Sequence, residues 1–229
     1  MRTIFISGAT GNLGRAIVKR FLEAGDKVYG TLLPGEALPE GMFNEQFIPV
    51  TVNLDNESAS ELAINNIISK QGSIDIAVLT AGGFAMGDIS TTSFEQIMTQ
   101  FRLNVATAYH AARPIFVNML SKGNGRIFMV GSRPGYDMGN SKGMVAYGLS
   151  KSMIFRLAEL MNDEAKNKDV VTTVIVPSTI DTLQNRKSMP NADFSKWVKA
   201  ESIAELVFFN ASEDASALRE NILKVYGGS

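Results

Sequence analysis

The feature that most narrows the fold is an alternation running the length of the chain, in which short β-branched runs take turns with longer stretches whose apolar residues recur every three or four positions. Thr3–Ser7, Lys27–Leu32, Phe47–Val52, Ile74–Thr80, Arg126–Val130, Val171–Val176 and Ile222–Tyr226 read as strands by length and composition. Leu13–Ala24, Glu57–Lys70, Phe94–Ser121, Met144–Lys168 and Glu201–Ser212 read as amphipathic helices. Strands joined by helical crossovers pair in parallel and are covered on both faces. The prediction is an α/β fold: one domain over residues 1–229, built on a doubly wound, mainly parallel, seven-stranded sheet with helices on both faces. Leu33–Met42 and Leu183–Trp197 are the longest irregular segments. In this architecture ligands lie beyond the carboxyl ends of the strands.

Composition removes several function classes. Hydrophobic residues make up 45% of the chain and charged residues 20%, enough apolar material for a continuous core without staples. With 22 basic and 23 acidic residues the formal net charge is −1, so neither nucleic acid nor an anionic membrane is an expected partner, and a small molecule is. The absence of cysteine excludes disulfides, zinc–thiolate sites, iron–sulfur clusters and thiol nucleophiles. His110 is the sole histidine, so one chain cannot assemble a His-based triad or a multi-His site, and no metal is expected. Met1–Ile6 runs straight into a glycine loop and no apolar run reaches the length of a membrane span, which makes a cytoplasmic location the expectation.

Two motifs carry chemistry. The first is Ser7-Gly8-Ala9-Thr10-Gly11-Asn12-Leu13-Gly14, a glycine turn between the first strand and the first helix. Glycines so placed let the chain turn tightly and bring backbone up to a pyrophosphate, while the helix N-terminus offers free N–H groups and positive potential. The spacing is G-x-x-G-x-x-G and not the commoner G-x-G-x-x-G; its place after the first strand favours a dinucleotide over an empty turn. An acidic residue after the second strand would select NAD and an arginine NADP, but Leu32-Leu33-Pro34 supplies neither. Arg15 and Lys27 are the nearby basic side chains, and Asn53-Leu54-Asp55 either meets adenine or caps the next helix.

The second motif is Tyr147-Gly148-Leu149-Ser150-Lys151, which puts a phenol and an ammonium on one helix face, a turn apart. An adjacent ammonium favours the phenolate and is expected to bring Tyr147 into range for proton exchange with an alcohol or carbonyl oxygen. Such pairs also occur in unrelated helices, so the surroundings decide. Ser132 ends the strand Arg126–Val130 at the same sheet edge and can donate to a substrate oxygen. Asn104 lies inside a long predicted helix, where asparagine is a poor former; it either holds a water in a proton relay or is a surface amide.

These pieces together resemble the short-chain dehydrogenase/reductase family, with its Rossmann-type fold, over essentially the whole chain. The resemblance implies a cofactor turn at Gly8, Thr10, Gly11, Asn12, Leu13 and Gly14 and a cofactor-binding segment at Ala81 and Gly82, to which Asn53 and Leu54 are added as candidate adenine contacts. It also implies a catalytic tetrad of Asn104, Ser132, Tyr147 and Lys151, with Tyr147 as acid/base and Lys151 on the nicotinamide ribose. Ser132 would orient the carbonyl and Asn104 would anchor a water. Pro177, Thr179, Ile180 and Thr182 resemble the family's Pro-Gly-x-x-x-Thr loop, and Lys224-Val225-Tyr226-Gly227-Gly228 its terminal strand. Thr80 stands where the family usually has Asn, and Ser178 where it usually has Gly.

Within the family the closest likeness is to dihydropteridine reductase-like members, carried by Ala81-Gly82-Gly83-Phe84 and by Ile180–Trp197. Those members lack the tetrad serine and asparagine, so an ordinary ketone reductase stays open beside the quinonoid dihydropteridine. Their preference for NADH leans an otherwise open choice of NAD(H) or NADP(H) toward NAD(H). Phe84, Met138, Met144, Leu183, Met189 and Trp197 are candidates for a substrate wall, and Asn185-Arg186-Lys187 for attracting an anionic substrate. The alternative function is a catalytically silent, NAD(P)-sensing binding protein. A sugar-nucleotide epimerase would need a longer C-terminal region. Phe94–Ser121 and Met144–Lys168 are natural pairing surfaces, and a homodimer or homotetramer is expected.

Overall fold

The computed structural model describes residues 1–39, 41, 44–137 and 141–228. Seven strands, β1 (Thr3–Ser7), β2 (Lys27–Leu32), β3 (Phe47–Thr51), β4 (Ile76–Leu79), β5 (Asn124–Val130), β6 (Asp169–Pro177) and β7 (Ile222–Val225), form one sheet in the order β3-β2-β1-β4-β5-β6-β7. Every pairing is parallel. The chain winds outward from β1 to β3, returns to β4 beside β1 and winds the other way, so the order reverses between β1 and β4, where such sheets open a crevice.

Burial explains the sequence pattern. β1 and β4 are buried at every residue, which is why both read as continuous apolar runs. The edge strand β3 is buried only at Phe47, then alternates half-buried Ile48 and Val50 with exposed Pro49 and Thr51, and so tolerates Pro49, whose missing N–H would break a central ladder. One core cluster joins Leu13, Ile17, Val18 and Phe21 of α1 (Asn12–Glu23) to Ile203 and Val207 of α8 (Ala200–Asn210) on one sheet face. The other joins Ile64 and Ile67 of α2 (Glu57–Gln71), Ile115 and Met119 of α4 (Thr107–Lys122), and Ile154 and Phe155 of α6 (Val145–Glu164).

Three departures from the sequence reading have local causes. The single helix expected over Phe94–Ser121 is instead α3 (Phe94–Phe101), a π-helical turn (Arg102–Ala106) and α4. The extra residue of that wide turn is accommodated around Asn104, and the Thr107 hydroxyl donates to the Leu103 carbonyl at 2.7 Å. The helix expected to reach Lys168 stops at Glu164, and Asn167 follows with φ of 76°, a left-handed conformation that asparagine tolerates better than most residues. Leu183–Trp197, expected to be irregular, contains α7 (Leu183–Ser188) and a 3-10 turn (Phe194–Lys196). Thr182 caps α7 through its side chain, and Asp193 does the same for Ser195. A short α5 (Arg133–Tyr136) also follows β5. No helix among the described residues is long and apolar enough to cross a membrane.

Candidate active site

Gly8 takes φ of +64°, and a Cβ there would come within 3.1 Å of Ala81 backbone, so the turn lies against the end of β4. The Gly8 and Ala9 N–H groups donate to Thr31 Oγ1 and O, each at 3.0 Å, tying the turn to β2. A Cβ on Gly14 would sit 2.1 Å from the Gly8 carbonyl oxygen, so only glycine lets α1 start this close to the strand. Gly11 caps α1 without a side-chain bond, and the first turn holds no acidic residue. With no side-chain cap and no acidic residue in that turn, the N–H groups and dipole of the helix start make a cradle that fits a dinucleotide pyrophosphate.

Thr80 does not leave its hydroxyl for a ligand; Oγ1 donates to the Ser7 carbonyl at 2.6 Å, while the Ala81 N–H donates to Ser7 Oγ at 3.0 Å. Ser178 likewise donates to the Tyr226 carbonyl at 2.7 Å. Both substitutions are thus absorbed as ties between neighbouring strand ends. Asn53 bonds its own loop through the Asp55 N–H. The Leu54 side chain is a core member, and its carbonyl is held by His110 Nδ1 at 2.8 Å, while Asn53 and Asp55 are exposed. Pro177 ends β6, Ile180 pairs with Val198, and the Val198 N–H donates to the Thr179 carbonyl at 3.0 Å. Asp181 grips Arg186 through two bonds of 2.6 and 2.7 Å, so the basic run expected to attract an anion has its arginine already neutralised.

At the ends of β4 and β5 the four tetrad positions converge. Ser132 N-caps α5, its Oγ accepting the Gly135 N–H at 3.2 Å while its hydroxyl is hydrogen-bonded to the Tyr147 phenol. Lys151 is buried on α6, and its Nζ donates to the Val130 carbonyl at 2.7 Å. A Cβ on Gly82 would meet Asn104 Oδ1 at 2.6 Å and Lys151 Nζ at 3.5 Å, so the glycine is what lets the three elements approach. Asn104 is neither a surface amide nor a free ligand. Its Oδ1 accepts the Gly83 N–H and its Nδ2 approaches the Gly83 carbonyl, both at 3.0 Å. The same Nδ2 lies 3.1 Å from Gln100 Oε1 and from Ser150 Oγ, and Ser150 in turn donates to the Tyr147 carbonyl at 2.8 Å. The side chain is therefore a bracket between the loop after β4, α3 and α6.

Electrostatics correct the expected direction at Tyr147. Burial pushes its phenol above the ordinary tyrosine value, and the Ser132 bond offsets only part of that rise. The Lys151 Nζ, turned to Val130, lies 6.0 Å from the Tyr147 ring centroid and is itself drawn down to about 8 by burial. The phenol thus holds its proton at neutral pH beside a lysine that is charged below about 8, an arrangement suited to giving a proton away.

Gln100 and Ser150 escaped the sequence reading, although a polar residue four positions before Asn104 on one helix face was a usable signal. Glu36 escaped it as well. It lies beyond Leu32-Leu33-Pro34, yet its Oε2 returns to accept the Leu33 N–H at 3.0 Å, bringing a carboxylate to the end of β2. Of the substrate-wall candidates, Phe84 stands edge-on to Tyr147, Met144 sits at the bridge to Gly87, Leu183 and Met189 bound α7, and Trp197 packs on Phe194. Met138 lies outside the described residues.

The chain matches the short chain dehydrogenase family over residues 2–193. It is similar to the 3-oxoacyl-(acyl-carrier-protein) reductase FabG of Buchnera aphidicola subsp. Acyrthosiphon pisum, with 27% identity over 99% of this chain and 96% of the relative. It is also similar to the cyclic-di-GMP-binding biofilm dispersal mediator protein of Escherichia coli, with 28% identity over 94% and 91%. Among solved structures, ElxO with NADP bound superposes with a TM-score of 0.87 at 19% identity, covering 99% of this chain and 98% of that one. Ligand-free aldohexose dehydrogenase of Thermoplasma acidophilum does so with 0.85 at 24%, covering 99% and 93%. At such identities the superpositions speak for the fold. The family match over most of the chain carries the assignment: this protein belongs to the short chain dehydrogenase family and is an NAD(P)-dependent oxidoreductase.

Proposed function

We propose that the protein reduces a small carbonyl compound or a quinonoid dihydropteridine, with Tyr147 as the proton donor. A bound nicotinamide supplies the hydride. The observation that carries the reading is a phenol kept protonated by burial, bonded by Ser132 and set beside the glycine cradle. As hydride reaches the carbonyl carbon of a ketone, or the conjugated nitrogen system of a quinonoid pterin, negative charge grows on the carbonyl oxygen, or on a ring nitrogen. The Tyr147 O–H bond breaks and its proton passes to that atom. Ser132 Oγ bonds the developing anion, and the Lys151 ammonium stabilises the phenolate left behind until solvent reprotonates it. Asn104, Gln100 and Ser150 fix the helix turn that carries Tyr147.

NAD(H) is the preferred cofactor in this reading. Support comes from Glu36, whose carboxylate at the end of β2 would accept a bond from an adenosine ribose hydroxyl and repel a 2′-phosphate. A second copy of the chain is the partner that suits α4 and α6: Tyr109 and Val117 on the first and Leu149, Met153 and Leu160 on the second are large apolar side chains left exposed. The assembly works in the cytoplasm as a homodimer or homotetramer. Following NADH and NADPH oxidation with quinonoid dihydropterin and a panel of ketones tests the proposal: turnover faster with NADH supports it. Binding of NADH with no turnover of any acceptor would favour the silent sensor, a role nearer to that named for the Escherichia coli relative.

A further inference from the structure

Phe84 is a large aromatic side chain left 59% exposed beside the proton donor. Its ring lies 4.9 Å from that of Tyr147, with the planes at 78°. The position is held from behind. Both the N–H and the carbonyl of Gly83, the preceding residue, are bonded to the Asn104 amide at 3.0 Å, so the backbone that carries Phe84 is fixed to the buried bracket and not free to swing with the loop. The borders are aliphatic: a Cβ on Gly83 would lie 3.0 Å from Leu103 Cδ1, and one on Gly143 would lie 3.7 Å from Met86 Cε. Leu103 and Met86 are themselves exposed. The next stretch is pinned to the entrance of α6, since the Gly87 N–H donates to the Gly143 carbonyl at 2.8 Å and the Val145 N–H to the Gly87 carbonyl at 2.9 Å.

Two rings near a right angle, one of them the acid, make a rigid aromatic corner. A flat conjugated ring entering it meets an offset face on one wall and an edge contact on the other, the two arrangements aromatic pairs prefer. Because both walls are fixed before the ligand arrives, little ordering cost is added on binding. A flexible acyl chain has no face to offer and draws its binding from the length of a groove instead. We infer that Phe84 is the specificity residue of this enzyme and selects a planar ring carbonyl or ring imine over an extended 3-oxoacyl chain. This rests on the reductase reading, for which it narrows the substrate class.

The test compares wild type, Phe84→Leu and Phe84→Trp using three probes: isatin, quinonoid dihydropterin and ethyl acetoacetate. Wild type is expected to show kcat/KM for at least one of the two planar probes more than a hundredfold above that for the acyclic ester. Phe84→Leu should cut that ratio at least tenfold, mainly through KM, and Phe84→Trp should keep it. The ratio is taken on one protein preparation, so partial unfolding cancels. Equilibrium binding of isatin to the NAD⁺ complex gives a readout independent of turnover, with Kd rising at least tenfold in Phe84→Leu. A ratio and a Kd that both stay put in Phe84→Leu overturn the role of Phe84, whatever the turnover. Tight isatin binding lost in Phe84→Leu, with no reduction of any probe by wild type, leaves the aromatic corner standing and overturns the reductase reading.

Discussion

At Lys151, function and stability pull in opposite directions. Burial lowers its pKa from 10.5 to about 8, so below about 8 the folded state holds a charge it would rather lose, and the unfolded state binds the proton more tightly. The sign follows: this cost is fully present below about 8 and fades as pH climbs toward 10.5, so stability rises with pH across that window. The shift corresponds to a cost on the order of 3 kcal/mol. Lys151→Met should therefore raise the thermal midpoint at neutral pH, less about 1 kcal/mol for the bond to Val130, while reducing turnover at least a hundredfold. Calorimetry beside a rate assay reads both, and a lower midpoint would contradict the burial argument. Reductive turnover should also decline as pH passes about 8 and the ammonium that supports the phenolate is lost; a flat kcat profile up to pH 9.5 would mean that the charge is not used. The sequence disclosed the Tyr147–Lys151 pair because four-residue spacing is a local property. The upward shift at Tyr147 was hidden, since it depends on what α6 packs against. Glu36 was hidden for a related reason: its carboxylate reaches the end of β2 through a turn that no strand pattern announces.

Elements were legible where their cause is periodic and obscure where a single contact decides. β1 and β2 match their predicted spans residue for residue, and the remaining strands differ only by residues at their ends. The long helix was predicted whole because apolar spacing runs through Asn104, whereas at the wide turn that side chain reaches Gly83 in the loop after β4. Asparagine inside a helix was the one warning. The glycine turn is the element with the least room for change. Gly14→Ala would drive a methyl group to 2.1 Å from the Gly8 carbonyl, forcing α1 away from β1. The expected outcome is a loss of about 1–3 kcal/mol in urea unfolding and a Kd for NADH raised more than tenfold. Unchanged NADH binding would show that the cradle does not hold the pyrophosphate.

For the molecule as a whole, parallel pairing and two-sided cover followed from the alternation of strands and helices, but the strand order did not, because it depends on crossovers that composition leaves unmarked. The exposed apolar faces of α4 and α6 are likewise a property of the assembled surface. If a second copy covers them, replacing Val117 and Leu160 together by Asp should shift the protein to monomer in size-exclusion chromatography or analytical ultracentrifugation; an unchanged mass would place the contact elsewhere. The central claim concerns one proton at the carboxyl ends of β4 and β5. Tyr147→Phe keeps the ring and removes the hydroxyl, so single-turnover measurement of NADH oxidation with the best acceptor tests it most directly. The account predicts a rate at least a hundredfold below wild type with NADH still bound, and a Phe variant that turns over at the wild-type rate would contradict it.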